Sequence, residues 1–351
     1  MSKIIGVGHY LPKHKISNHF FDQHVFMDES GELLKQDSPT VAAKLKDITG
    51  IEERRYAADD QVCSDLAFEA AKEAIEDAAI DPETLDYIIV AHNFGDVPFG
   101  TTQTDILPSI ASRVKHHLKI NNPYCVCYDM IFGCPGWVEG LIQANAFIQA
   151  GLAKRCLVIG AETLSRVVDP HDRDSMIYAD GAGAVVVEKS ADNKGVKTHL
   201  SASFTGEEWD YLFFGKSYNT SHTDNTRYIK MHGRKIYEFA LKQVPDAMKK
   251  CLEESGIPLE KVKKILIHQA NEKMDEAIVN RFYKLYRQPV PEGVMPMIIQ
   301  YVGNSSVATI PSLLSLILKG ELPGHKIEEG DVVLFASVGA GMNINAVVYQ
   351  Y

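Results

Sequence analysis

The sequence predicts an α/β fold made of two related halves, because an internal repeat recurs at one fixed spacing and its segments read as helix followed by buried parallel strand. Ala78-Ala79-Ile80-Asp81-Pro82 through Ile88-Ile89-Val90-Ala91 runs parallel to Ser255-Gly256-Ile257-Pro258-Leu259 through Ile265-Leu266-Ile267-His268, with Ile257 lying 177 residues after Ile80. A second pair, Cys156-Leu157-Val158-Ile159-Gly160 and Val333-Leu334-Phe335-Ala336-Ser337, keeps the same spacing of 177. In each half an amphipathic helix comes first, over 67–78 and 239–254, and a short turn leads into an apolar, β-branched run. The helix ending at Gly151 answers the one ending at Gly320 at a spacing of 169, the difference falling in the loop around Pro323-Gly324-His325-Lys326. The halves are expected to be 1–190 and 191–351, sharing one body without a Pro/Ser-rich linker.

The chain has 351 residues, 45% of them apolar and 23% charged, as in an ordinary globular protein. Its net charge of −10 argues against a nucleic-acid binder and against general attraction to anionic membranes. Met1 to Gly8 contains no signal-peptide core, and no apolar stretch reaches membrane-span length. The six cysteines lack the spacing of a small disulfide scaffold and suit free thiols in a reducing cytoplasm. Cys125-Val126-Cys127 reads as one face of a strand rather than a metal site, and no metal or cofactor is expected.

Three short segments carry groups with chemical potential: Gly133-Cys134-Pro135-Gly136, His268-Gln269-Ala270-Asn271 and Gly303-Asn304-Ser305-Ser306. Pro135 suits a first helical position, so Cys134 is expected at the N-cap, where the helix dipole favours a thiolate. His268 ends a strand, where ligands collect in parallel sheets. Asn304 follows a glycine and precedes a helix containing Ile310, Leu313 and Leu314. Taken singly, each has an ordinary reading: a buried cysteine, a satisfied histidine, a helix cap. The repeat joins them, since Cys134 falls opposite Gly303, next to Asn304. A nucleophile with two neutral hydrogen-bonding groups suits thioester chemistry.

These motifs resemble those of β-ketoacyl-acyl-carrier-protein synthase III and its thiolase-superfamily relatives. The likeness extends to Ile4-Ile5-Gly6, Thr49-Gly50-Ile51, Asp169-Pro170-His171-Asp172-Arg173, Asp180-Gly181-Ala182-Gly183-Ala184 and Gly339-Ala340-Gly341. It implies a thiolase-like duplicated five-layer αβαβα fold, a homodimer, and Cys134, His268 and Asn304 as catalytic residues. It further implies that Cys134 is acylated, that a malonyl- or β-ketoacyl-type carrier thioester loses carbon dioxide, and that His268 and Asn304 hold the enolate oxygen. The backbone N–H groups of Cys134 and Ala340 would form the oxyanion hole. Relatives usually have glycine at the Ala340 position, and alanine narrows the allowed backbone angles.

The sequence departs from relatives that use coenzyme A. Those carry a tryptophan shortly before an Arg-Thr-Gly-Ile motif; here Ile48 precedes Thr49 and no tryptophan lies near, while Arg173 is retained. The donor is therefore expected to arrive on an acyl carrier protein rather than as acyl-coenzyme A. Arg227, Lys230, Arg234, Lys235, Lys273 and Arg281 are candidates for a basic docking rim, with Arg173, Arg234, Lys273 and Arg281 the carrier-binding choice. Other readings on the same fold are acyl transfer to an amine or hydroxyl, with His268 as base, and head-to-head condensation without decarboxylation. The latter needs an extra carboxylate base beside the cysteine, a role the sequence cannot assign to Glu139 or Glu162. A catalytically silent subunit would be expected to lose the nucleophile.

Overall fold

The computed structural model describes residues 1–192, 194–221 and 224–351. In chain order the first part contains β1 (Ser2–Tyr10), β2 (His14–Ser17), α1 (Ser38–Thr49), β3 (Glu53–Tyr56), α2 (Cys63–Asp77), β4 (Tyr87–Ala91), α3 (Ile110–His117), β5 (Val126–Met130), α4 (Gly136–Gln149), β6 (Arg155–Thr163) and β7 (Asp180–Lys189). The second contains β8 (Gly195–Ser203), β9 (Leu212–Lys216), β10 (Arg227–Met231), α5 (Gly233–Ser255), β11 (Val262–Ile267), α6 (Glu272–Leu285), α7 (Ile299–Val302), α8 (Thr309–Leu318), β12 (Val332–Gly339) and β13 (Asn343–Gln350).

Two sheets dominate, ordered β1-β7-β6-β4-β5 and β11-β12-β13-β8. Their matching cores share register as well as order. In the parallel β4–β6 pair Ile88 faces Leu157, and in the parallel β11–β12 pair Ile265 faces Leu334, each residue displaced by the 177 of the repeat. The halves differ at one edge. β5 pairs with β4, whereas in the second sheet the equivalent flank is reduced to Ile265 N donating to Val294 O at 2.8 Å. Pro291 and Pro296 bracket that segment, and proline has no N–H to extend a ladder.

The apolar clusters define five layers. Between the sheets lie α4 and α8, with Trp137, Leu141, Leu313 and Leu314 packed on Val158 and Phe335. α2 and α3 cover the outer face of the first sheet through Ala67, Ala70, Ile110 and Val114. Gly8 permits this closeness, since a Cβ there would lie 2.2 Å from Ala70 O. α5 and α6 cover the second sheet through Val244, Met248, Ile278 and Phe282.

Element starts differ from the sequence reading. α2 begins at Cys63 rather than 67, because the Asp65 carboxylate accepts from Val62 N at 2.9 Å and closes the first turn. α5 begins at Gly233 rather than 239. Among the described residues no helix is long and apolar enough to cross a membrane, and no group of three or more His, Cys, Asp or Glu is arranged to hold a metal ion.

Candidate active site

Cys134, His268 and Asn304 all line one cavity of about 260 Å³ between the halves. Its walls are apolar, with Phe94, Leu164, Ile177, Phe214 and Met231 among them. The β9–β10 hairpin supplies one side, and the Phe94 and Phe214 rings meet there at 5.2 Å.

Cys134 stands one residue further from its helix than expected. Pro135 is the N-cap and α4 starts at Gly136, with Gly136 N bonded to Gly133 O at 3.0 Å. The thiolate expectation is corrected as well. Burial pushes the thiol up to about 11, and the nearby Glu162 carboxyl adds to this, while the Ser306 hydroxyl pulls the other way. The resting group is a neutral thiol, so ionisation needs a proton acceptor.

His268 follows β11, with its N–H bonded to Ala336 O at 2.9 Å. It is buried, and desolvation lowers its imidazole to about 4, so the ring is neutral at physiological pH. Nδ1 lies 2.9 Å from Thr309 Oγ1, and the histidine lines the cavity. The remaining residues of this motif are structural. Gln269 Oε1 accepts from Ile298 N and Ile299 N, its Nε2 donates to Pro296 O, and Asn271 caps α6 through Met274 N.

Asn304 is held through its backbone between Ile177 O and Ala179 N, at 2.9 and 2.8 Å. Its Oδ1 accepts from Ser306 N at 2.8 Å, which leaves the Nδ2 hydrogens for the cavity. Gly303 makes the approach possible: φ is +71°, and a Cβ would lie 2.6 Å from that of Arg54. A short 3₁₀ turn, Ser306–Ala308, separates Asn304 from α8, so the two predicted helix starts are not strictly equivalent.

The two glycine turns meet back to back. A Cβ on Gly133 would lie 2.7 Å from Ala340 N, and one on Gly339 would lie 2.5 Å from Cys134 N. The backbone amides of Cys134 and Ala340 thus approach each other at the cavity. Ala340 is not among the residues with positive φ, so alanine sits there without strain.

A groove of about 720 Å³ adjoins the cavity and shares Ile177, Met231, Ile236, Ala270 and Met274 with it. Ile48, Lys44, Arg173, Arg234 and Lys235 line it. Ile48 is half exposed there. Lys273 and Arg281 are exposed on α6, whereas Arg227 is exposed on β10. Lys230 leaves the basic rim: it is buried, its Nζ lying 2.6 Å from Asp169 and 3.0 Å from Asp172. Those carboxylates belong to the segment carrying Arg173, so the ion cluster fixes the groove wall. Asp180 is likewise a brace, accepting from Ala57 N and from the backbone and hydroxyl of Ser165.

Sequence reasoning assigned no role to Asn93, Thr309 or the Ser306 side chain, and left Glu162 unplaced. Only the Ser306 backbone carries a local peculiarity, a φ of +52°.

Comparison with known proteins agrees with the architecture. Residues 128–203 match 3-oxoacyl-[acyl-carrier-protein (ACP)] synthase III, and residues 252–351 match the 3-oxoacyl-[acyl-carrier-protein (ACP)] synthase III C-terminal domain. The chain is 34% identical to the β-ketoacyl-[acyl-carrier-protein] synthase III of Aquifex aeolicus over 100% of its length and 99% of the relative's. It is 33% identical to that of Geobacillus kaustophilus, over 99% and 98%. The crystal structure of the Aquifex aeolicus 3-oxoacyl-[acyl-carrier-protein] synthase III superposes with a TM-score of 0.81 at 32% identity, covering both chains fully. The chain belongs to the 3-oxoacyl-[acyl-carrier-protein] synthase III family, whose fold is the duplicated thiolase-like αβαβα arrangement.

Proposed function

We propose that this chain is an acyltransferase that forms a carbon–carbon bond by decarboxylative Claisen condensation, in fatty acid or specialised lipid biosynthesis. The observation that carries this is the convergence of a thiol from one half with a neutral imidazole and a carboxamide from the other on one apolar cavity. Cys134 accepts an acyl group from a thioester and holds it in the cavity. A malonyl- or β-ketoacyl-type carrier thioester then enters, and hydrogen bonds from His268 and Asn304 stabilise the enolate left by loss of carbon dioxide. The enolate carbon attacks the acyl-cysteine, whose oxyanion takes the Cys134 and Ala340 N–H groups.

Desolvation lowers the His268 imidazole to about 4 and makes it a weak proton acceptor, which weighs against acyl transfer to an amine or hydroxyl with His268 as base. Head-to-head condensation needs an extra carboxylate base beside the cysteine with access to the bound acyl chain, and Glu162, which does not line the cavity, lacks that access.

The donor is assigned to an acyl carrier protein. Ile48 offers the groove no charge where coenzyme A-using relatives have arginine, while Arg173 and Arg234 suit an acidic carrier, with Lys273 and Arg281 beyond the groove. The units of duplication are assigned to 1–190 and 191–351. A homodimer is assigned to the β5 edge, where Tyr124, Val126 and Ile131 are exposed. The free thiols suit a cytoplasmic location.

The test is intact-mass detection of acyl-Cys134 after incubation with acyl-carrier-protein and acyl-coenzyme A donors, followed by carbon dioxide release on adding malonyl-carrier protein. Acylation from the carrier followed by gas release is expected. Acylation without decarboxylation would refute the condensation, and faster loading from coenzyme A would refute the carrier assignment.

A further inference from the structure

A carboxyl lies behind the thiol, and the chemistry above gives it no task. Glu162, near the end of β6, is 1% exposed. Its Oε1 accepts a hydrogen bond from Asn93 Nδ2, and the Ser306 hydroxyl is directed at the same carboxyl. Asn93 Nδ2 also reaches Ser306 Oγ at 3.1 Å. Ser306 and Cys134 line the same cavity, and the Ser306 hydroxyl is near enough to lower the Cys134 thiol against the rise that burial gives it. One hydroxyl therefore stands between a thiol and a carboxyl, and an amide clamps it in place.

The backbone is bent to put it there. Ser306 has a φ of +52°, in the left-handed region that residues with side chains avoid. Asn304 Oδ1 holds its N–H at 2.8 Å and the Thr309 hydroxyl holds its carbonyl at 2.9 Å. Such strain persists only where the surroundings fix it, and here it sets Ser306 in the cavity wall that also holds Cys134.

We propose that Glu162 takes up the Cys134 thiol proton through the Ser306 hydroxyl during acyl loading, and returns it to the departing thiol of the donor. The S–H proton moves to Ser306 Oγ as the Ser306 O–H proton moves to the carboxylate. The sulfur bonds to the acyl carbon, the carbon–sulfur bond to the donor breaks, and the proton travels back through Ser306 to the leaving thiolate. Glu162 acts through Ser306 and is a positioning residue for the proton. Acidities agree with this division of labour. Burial holds the thiol up at about 11, the carboxyl up at about 8 and the imidazole down at about 4, so Glu162 is the better proton acceptor of the two.

This inference rests on Cys134 being the acylated nucleophile, and its test separates the two. Single-turnover labelling of Cys134 is followed by intact mass from roughly pH 6 to 10, with hexanoyl-carrier protein in one arm and iodoacetamide in the other. Wild-type rates in both arms are expected to rise through about pH 8. Glu162→Gln and Ser306→Ala are expected to lose that limb and to slow labelling at neutral pH by at least about thirtyfold, with Glu162→Asp restoring part of it. Thermal melting checks that each variant is folded; if Glu162→Gln is not, Ser306→Ala decides by the same criterion. A limb retained near pH 8 in the folded variants, with rates within about threefold of wild type, overturns the role of Glu162 alone. Wild-type protein that alkylates but never acylates overturns the functional reading, and its alkylation profile still decides the proton path.

Discussion

The hydroxyl of Thr309 lies 2.9 Å from Nδ1 of His268 and 2.9 Å from the carbonyl oxygen of Ser306. It has one proton to give. That proton goes to the Ser306 carbonyl, so the hydroxyl ties the orientation of the imidazole to the bent Ser306 turn.

Thr309→Val should therefore slow decarboxylation more than loading. With pre-acylated enzyme, carbon dioxide release from malonyl-carrier protein is expected to fall roughly tenfold or more, because the ring loses the partner that fixes its orientation. Acyl-Cys134 formation should change far less, and equal loss in both steps would count against this view of Thr309.

Asn304→Ala removes the Nδ2 donor and also strands Ser306 N. Condensation is expected to drop by about 10²–10³. The unpartnered buried N–H should cost about 1–3 kcal/mol of stability, measurable as a lower denaturation midpoint.

The buried carboxyl makes stability depend on pH with a definite sign. Glu162 is raised from 4.5 to about 8, so the folded state binds the extra proton between those values and stability falls as pH climbs through them. His268 is lowered from 6.5 to about 4, so its contribution has the opposite sense and is lost as pH falls through that window. Glu162→Gln removes only the first effect. Its melting temperature relative to wild type should rise between about pH 5 and pH 8, by an amount worth a few kcal/mol at most.

Phe94 and Phe214 meet in the cavity wall, Phe214 reaching it from β9. Phe214→Ala should admit longer chains, shifting the preference among acyl-carrier donors toward them by roughly tenfold or more. Mass analysis of Cys134 adducts from a mixed donor pool measures this shift.

How much of this was legible in the sequence varies with the range of the interaction. Cys134, His268 and Asn304 could be singled out because the repeat sets Cys134 opposite Gly303, next to Asn304, and His268 at the strand end that answers Ala91, relations that residue spacing preserves. The glycines at 133, 303 and 339 were visible only as turn formers. Their use, allowing backbones to approach within the reach of a Cβ, belongs to tertiary contact. Asn93, Glu162 and Thr309 gave no local signal, since ordinary polar residues become a proton path only when distant strands bring them together. The dipole argument for a thiolate at Cys134 failed for a related reason, as desolvation in the assembled cavity outweighs one helix end. Lys230 looked like surface charge because nothing in its own strand reveals Asp169 and Asp172. The second sheet has four strands to the first one's five, and the segment on its flank lies between Pro291 and Pro296, which cannot donate to a ladder.

Gly133 packs on the backbone of Ala340 and Gly339 on that of Cys134, so the paired amides depend on the mutual alignment of both sheets. A slip of a single ångström along that seam would part the two amides and leave the helices and hydrophobic layers almost untouched. Turnover should then act as a more sensitive gauge of that alignment than any spectroscopic signal. In a urea titration, activity is expected to vanish before far-ultraviolet circular dichroism begins to change.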